Sequence, residues 1–445
     1  MNLAVARLVL ASVPLFEPSA AGAETLSDML SQVYVGSPRL EASRASLRAA
    51  DELIPQALAP GRPQASTTNS VAYNATGDAL PTQRQALTLT QSIYSGGTIT
   101  AASRRAENSV HAERARLSQL EQDVLLEAVA AFTAVARDGA ILELARGNED
   151  RLRIQLDATR DRERFGDVTT TDIYQAEARH AGAIAERDAA AGALKASAAE
   201  YRRLAGTEPP RLDLPPVPDG LPATLDDALA GVEANWRWQA ATFELAAARN
   251  DIAVSWGSMK PRLTVGAELS YADDGGSSGR SGANAAIGAT FTVPLYQGGG
   301  EYARVRQSKE LLTQRRYSVD DALRTAEAEI AAAWETTQTA EVSIRSLQVQ
   351  VDAATFAVEG VRQEALVGAR TVLDVLDAER ERFAGEVDLV RAERERVLAA
   401  YRLLAAVGRL TARDLALTVA YYDPEVHYQD VRRRWFGLGP KLGAE

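Results

Sequence analysis

Asp374 and Asp377 stand three residues apart, so a helix carries both carboxylates on one face. Such a pair acts through charge, not through group transfer. Asp172 precedes Asp374 by 202 residues in a matching context. Little else in the chain is chemical. Its 445 residues include no cysteine, which excludes disulfides, cysteine-ligated zinc and thiol catalysis. His111, His180 and His427 lack the spacing of metal ligands. Gly298-Gly299-Gly300 is followed by no Gly-Lys-Ser/Thr, so it is not a phosphate loop. Asp273-Asp274-Gly275-Gly276 lacks the spacing of a calcium-binding EF-hand and reads as an exposed loop. No nucleophile is paired with a base. Neither enzymatic activity, nor a cofactor, nor a metal is expected.

The elements that carry these acids follow from composition and periodicity. Basic residues number 49 and acidic residues 60, a formal charge of −11 that argues against general nucleic-acid binding. Hydrophobic residues make up 46% of the chain, yet mean hydropathy is −0.19, which excludes an ordinary bundle of apolar membrane helices. Residues 1–23 read as a secretory leader. Arg7 precedes the apolar run Leu8 to Phe16, and Ala21-Gly22-Ala23 is a small-x-small cleavage site. An N-terminal helix of a cytosolic protein is the alternative. Nothing after Ala23 approaches the roughly 18 apolar residues of a spanning helix, so any entry into a bilayer must be made by strands.

The chain is an internal duplication. Tyr94-Ser95-Gly96-Gly97 recurs as Tyr296-Gln297-Gly298-Gly299, Gly166 as Gly368, Asp172 as Asp374, and Ala176-Glu177 as Ala378-Glu379, all at an offset of 202 residues. The repeats span 24–208 and 223–411. A linker at 209–222 holds six of the 17 prolines, and 412–445 form a tail. Each repeat opens with a helical stretch (Thr25 to Leu58, Leu225 to Trp256), continues with two extended segments and closes with a long helical region.

Proline is absent from Thr82 to Glu208 and from Leu295 to Asp423. An interior proline costs a helix about 3 kcal/mol, which explains its exclusion from uninterrupted helices. Leu117, Leu120, Val124, Ala128, Ala131 and Val135 step by three or four residues. Ile344, Leu347, Val351, Ala354, Val358, Val361 and Ala365 keep a strict heptad. Narrow apolar stripes of this kind suit coiled-coil seams. Gly166 and Gly368 interrupt the helices, and a following Thr or Asp caps the next one. Each repeat therefore contains an antiparallel helical hairpin with its turn at the far end.

The extended segments, 64–74, 84–94, 262–272 and 283–295, alternate. Ala285, Ile287, Ala289, Phe291 and Val293 face one way, and Ala286, Gly288, Thr290 and Thr292 the other. Turn-rich loops at Asn74 to Gln83 and Ala272 to Gly282 join them in pairs. A transmembrane barrel strand has this length and pattern, and so does a soluble hairpin with one wet face. Four strands cannot close a barrel, and an open edge cannot face lipid because its backbone groups would lack partners. A membrane reading requires an oligomer that shares one barrel.

Over roughly Glu24 to Thr411 the chain resembles the TolC-like outer-membrane channel family of efflux and type I secretion systems. The resemblance rests on the duplication, on Gln91-Ser92-Ile93-Tyr94-Ser95-Gly96-Gly97 and Val293-Pro294-Leu295-Tyr296-Gln297-Gly298-Gly299, and on Gly368-Ala369-Arg370-Thr371-Val372-Leu373-Asp374-Val375-Leu376-Asp377-Ala378. It implies a mainly helical fold with a membrane β-barrel. In a homotrimer, each subunit would give four strands to one twelve-stranded barrel, and the coiled-coil hairpins would continue as a periplasmic α-barrel tunnel. It further implies a place in the outer membrane of a Gram-negative bacterium, contact with its lipid, and two partners: a periplasmic adaptor and an inner-membrane ABC or proton-driven transporter.

On this resemblance Asp374 and Asp377 line the narrowest part of the pore as stacked rings, able to select or bind cations. Arg370 holds the aperture shut against Thr171 and Asp172. Ala365 stands where some relatives carry a tyrosine that helps to close it. Tyr94, Gly96, Gly97, Tyr296, Gly298 and Gly299 mark the strand-to-helix junctions. Residues 421–439 resemble the tails of secretion-type members, which tilts the expectation toward type I protein secretion over drug efflux. The competing reading is a soluble periplasmic coiled-coil scaffold or adaptor, in which Asp172 and Asp374 merely cap helices.

Overall fold

The computed structural model describes residues 25–73, 81–273, 281–437 and 439; the expected leader lies outside them. Thr25 starts the first helix with a capping box, its side chain accepting from the Asp28 N–H while the Asp28 carboxylate accepts from the Thr25 N–H. The stretch from Thr25 to Leu58 is three helices, α1 (Leu26–Gly36), α2 (Pro38–Asp51) and α3 (Leu53–Leu58). Pro38 is the break: it is tolerated in the first turn of α2, where its missing N–H needs no partner.

The rest of the first repeat is β1 (Gln64–Ala72), β2 (Thr82–Tyr94), α4 (Thr98–Arg164) and α5 (Thr170–Ala205). The second is α6 (Leu225–Ala230), α7 (Trp236–Gly257), β3 (Arg262–Asp273), β4 (Ser281–Thr292), α8 (Gly300–Leu366) and α9 (Val372–Ala406). A short α10 (Pro424–Val431) follows. Both α4 and α8 have 67 residues, about 100 Å each at 1.5 Å per residue. Hydrogen-bonded pairing in β4 stops at Thr292, short of Leu295, since Pro294 has no N–H to give. Asn74 and most of the two expected strand-joining loops, including Asp274-Gly275-Gly276, fall outside the described residues.

The four strands form one antiparallel sheet in the order β1-β2-β3-β4. Register places Leu89, Ala267 and Ile287 in one cross-strand row and Thr88, Glu268 and Ala286 in the next, so one apolar face and one polar face run through the sheet. On the polar face Arg84 meets Glu268 at 3.0 Å. Ile287 is 86% exposed, and among the described residues β1 and β4 each have an edge with no partner strand.

At the junctions with α4 and α8 the chain must leave extended geometry within two residues. Gly96 and Gly97 adopt φ of 68° and 84°, and Gly298 and Gly299 adopt 73° and 84°, all left-handed. Below the junctions the sequence stripes become seams: Ala354, Val358, Leu376 and Val397 are buried. The largest core lies midway, where α1, α4 and α9 meet. Met29, Leu125, Phe132, Tyr201 and Leu398 have almost no exposure there, and Leu212 of the linker joins them. Each such side chain contributes about 1.5–3 kcal/mol. This middle core fixes the position of the hairpin ends.

Candidate functional site

Both hairpins turn at the end of the molecule remote from the sheet. Gly166 follows α4 with φ 80° and Gly368 follows α8 with φ 79°. Thr169 and Thr371 then cap α5 and α9. The Thr169 hydroxyl accepts from the Asp172 N–H, and the Asp172 carboxylate accepts from the Thr169 N–H and hydroxyl, each at 2.8 Å. Thr371 and Asp374 do the same at 2.9 and 2.8 Å. These bonds from the Thr371 N–H and hydroxyl, helped by the Arg370 charge, hold the Asp374 carboxyl below the usual carboxylate range. Asp172 and Asp374 are thus capping residues, and that role leaves Asp374 ionised.

The turns are held side by side by Leu152 and Leu156 of α4, Ala176 and Ala183 of α5, and Val372 and Leu376 of α9. Asp377 lies one turn beyond Asp374. It accepts from Arg179 of α5 at 2.6 Å, so a basic residue of the first repeat reaches an acid of the second. Arg370 is half-exposed and donates to Glu364 at 2.9 Å. Among the described residues no hydrogen bond or ion pair joins Arg370 to Thr171 or Asp172. Ala365 is buried and offers no hydroxyl. Tyr94 and Tyr296, at the opposite end beside the sheet, are 49% and 77% exposed.

A buried ion cluster sits above the turns, and only part of it could be read beforehand. Glu379 is 3% exposed and meets Arg382 at 2.7 Å, Arg362 at 3.1 Å and Arg151 at 3.3 Å. Glu386 lies 3.7 Å from Arg382 and 3.9 Å from Arg151. Burial, with the Arg382 charge beside it, pulls the Arg151 guanidinium below its ordinary value. Arg151 is on α4, Arg362 on α8 and the others on α9, so three helices from both repeats meet at one carboxylate. The first repeat has the counterpart Arg160–Glu177 at 2.7 Å. Repetition of Ala176-Glu177 as Ala378-Glu379 was the available signal; burial and the Arg151 contact had none.

Taken together, the turn end of the hairpins brings acids and arginines into ion pairs, and among the described residues it holds no catalytic constellation. Among the described residues no group of three or more His, Cys, Asp or Glu could hold a metal ion. A family model described as "Outer membrane efflux protein" matches residues 29–207 and 233–409, one segment per repeat. The chain is 35% identical over 438 residues to the outer membrane efflux protein BepC of Brucella suis, covering 98% of this chain and 96% of that one. It is 24% identical over 427 residues to the outer membrane protein TolC of Vibrio cholerae, covering 91% and 96%. The outer-membrane channel OprN has the same fold, with a TM-score of 0.77 over 86% of this chain and 89% of that one, at 21% identity.

Proposed function

The chain belongs to the outer membrane efflux protein family, and from that premise we propose that three copies close one passive export duct, gated at the paired helix turns. The observation that carries this reading is the four-stranded sheet, apolar on one face, with edges on β1 and β4 unpaired among the described residues and a direct continuation into helices about 100 Å long. Unpaired edges are unsustainable in lipid. Three sheets joined edge to edge make twelve strands and leave none open. The polar face, with Arg84 and Glu268, then lines water.

At the inner end, Asp374 and Asp377 of three subunits form two acidic rings. Arg370 closes the aperture by exchanging Glu364 for Thr171 and Asp172 of a neighbouring subunit. A periplasmic adaptor and an inner-membrane ABC or proton-driven transporter supply cargo and energy.

The tail at residues 421–439 supports type I protein secretion as the cargo route. A second reading, small-molecule efflux, is supported by 35% identity to a protein named for efflux. Deleting the gene in its own organism separates them. Loss of a secreted protein from the medium with unchanged drug susceptibility supports secretion, and the reverse supports efflux. No effect on either contradicts the duct.

A further inference from the structure

The tail climbs α4 toward the sheet in steps of seven residues. The Ala412 N–H donates to Glu121, Glu425 pairs with Arg114, and Arg432 pairs with Glu107 at 3.2 Å. Each step is about 10 Å nearer Thr98, where α4 begins. The climb is pinned from the side by His427, whose Nδ1 lies 2.9 Å from the fully buried Asp51 of α2, and by Val431, which is buried. It ends beside Arg62, two residues before β1. Arg62 donates to the Arg434 carbonyl at 2.7 Å and lies over the Trp435 ring at 5.2 Å. Trp435 is 58% and Phe436 87% exposed. Tyr94, Val293, Leu295 and Tyr296 are also exposed, at the same end of the sheet. Arg433 is exposed and forms no ion pair among the described residues.

We infer that residues 432–436 anchor the subunit in the periplasmic leaflet of the outer membrane: Trp435 and Phe436 enter the headgroup zone, and Arg433 meets a phospholipid phosphate. Three features select lipid as the occupant. Trp435 stacks on Arg62, two residues before β1, which puts the aromatic pair at the level where strands become helices. Tryptophan favours the membrane–water boundary, with its ring in the apolar zone and its N–H in the wet one. Arg432 is paired with Glu107 and Arg434 with Asp430, so Arg433 between them supplies the charge opposite to that of phosphate. The inference rests on the sheet lying in the outer membrane, and it adds a contact made by a segment outside the barrel.

The absence of cysteine makes a direct test simple. The full chain carrying Phe436→Cys is spin-labelled and placed in nanodiscs of phosphatidylethanolamine and phosphatidylglycerol. A label at Asp219→Cys, in the exposed linker, is the aqueous reference. The anchor predicts that the label at 436 collides preferentially with oxygen and the reference label with a nickel chelate. Adding Arg433→Glu should lower the lipid-inserted fraction at least about fivefold. Equal chelate access at both sites overturns the anchor while leaving the inserted channel intact. A label shielded from both agents and coupled to a neighbouring chain puts the tail on a second copy and also overturns it. Should the thiol variant fail to assemble, brominated lipid gives the same decision on the parent chain. Quenching that disappears in Trp435→Phe supports the anchor, and identical quenching in both contradicts it.

Discussion

Arg179 of α5 donates to Asp377 of α9 at 2.6 Å, so one of the two acids at the inner end is paired inside its own subunit. Both side chains are partly exposed, and a pair of this kind is worth about 0–1 kcal/mol. It sets position and local charge more than stability. Arg179→Ala frees Asp377 and should strengthen block by multivalent cations about fivefold in planar bilayers, the equivalent of about 1 kcal/mol. Asp374→Ala with Asp377→Ala should weaken it. Unchanged block in the double variant would remove the acidic rings from the account.

Glu379 is the opposite case, an acid buried among three arginines. Removing one partner of a buried ion pair costs about 3–5 kcal/mol because the others are left uncompensated. Glu379→Ala should lower stability by that amount in denaturant unfolding and raise closed-state conductance, since α4, α8 and α9 lose their shared contact. Glu177→Ala, at the half-exposed equivalent position of the first repeat, should cost no more than about 1 kcal/mol.

Two equivalent glycines should respond unequally. Gly96 and Gly298 are both left-handed, which costs any other residue about 1–2 kcal/mol. A Cβ on Gly96 would also collide with the Gly257 carbonyl and Lys260, whereas one on Gly298 meets nothing within 4 Å. Gly96→Ala should therefore lower the yield of heat-resistant oligomer well below that of Gly298→Ala, as read on gels of heated and unheated membranes.

Glu121 carries the pH prediction. Burial pushes its carboxyl above the usual range, opposed by the Ala412 N–H and by Arg44 and Arg413. A raised folded-state pKa favours folding below the ordinary carboxylate pKa, and that contribution is lost as pH rises through the raised value. Glu121→Gln keeps an acceptor for Ala412 and removes the titration. It should melt higher than the parent at neutral pH, with the difference vanishing in acid. A difference independent of pH would contradict the burial argument.

The periodic features were legible in the sequence. Helix, strand, junction and turn depend on local spacing and on glycine, and the 202-residue offset shows them twice. The heptad through Val351 and Val358 named the seam of α8 because a seam repeats every 3.5 residues whatever its partner. The partners of the charged residues were not legible. Sign and spacing place Arg179 on a helix face, but only the packing of Leu152 against Val372 and Leu376 turns that face toward Asp377. Asp172 and Asp374 were legible as caps, since a Thr or Asp after each turn glycine favours a helix start, but the reciprocal bonds to Thr169 and Thr371 are seen only in the structure. The break at Pro38 divides the first helical stretch into α1 and α2, because a proline is accepted in a first helical turn but not in a helix interior.

Native mass spectrometry of the protein released from outer-membrane nanodiscs tests the shared barrel most directly. Three chain masses in one particle, with lipid retained, are the expected result. A single chain mass recovered from the soluble fraction, with none in the membrane, would contradict it.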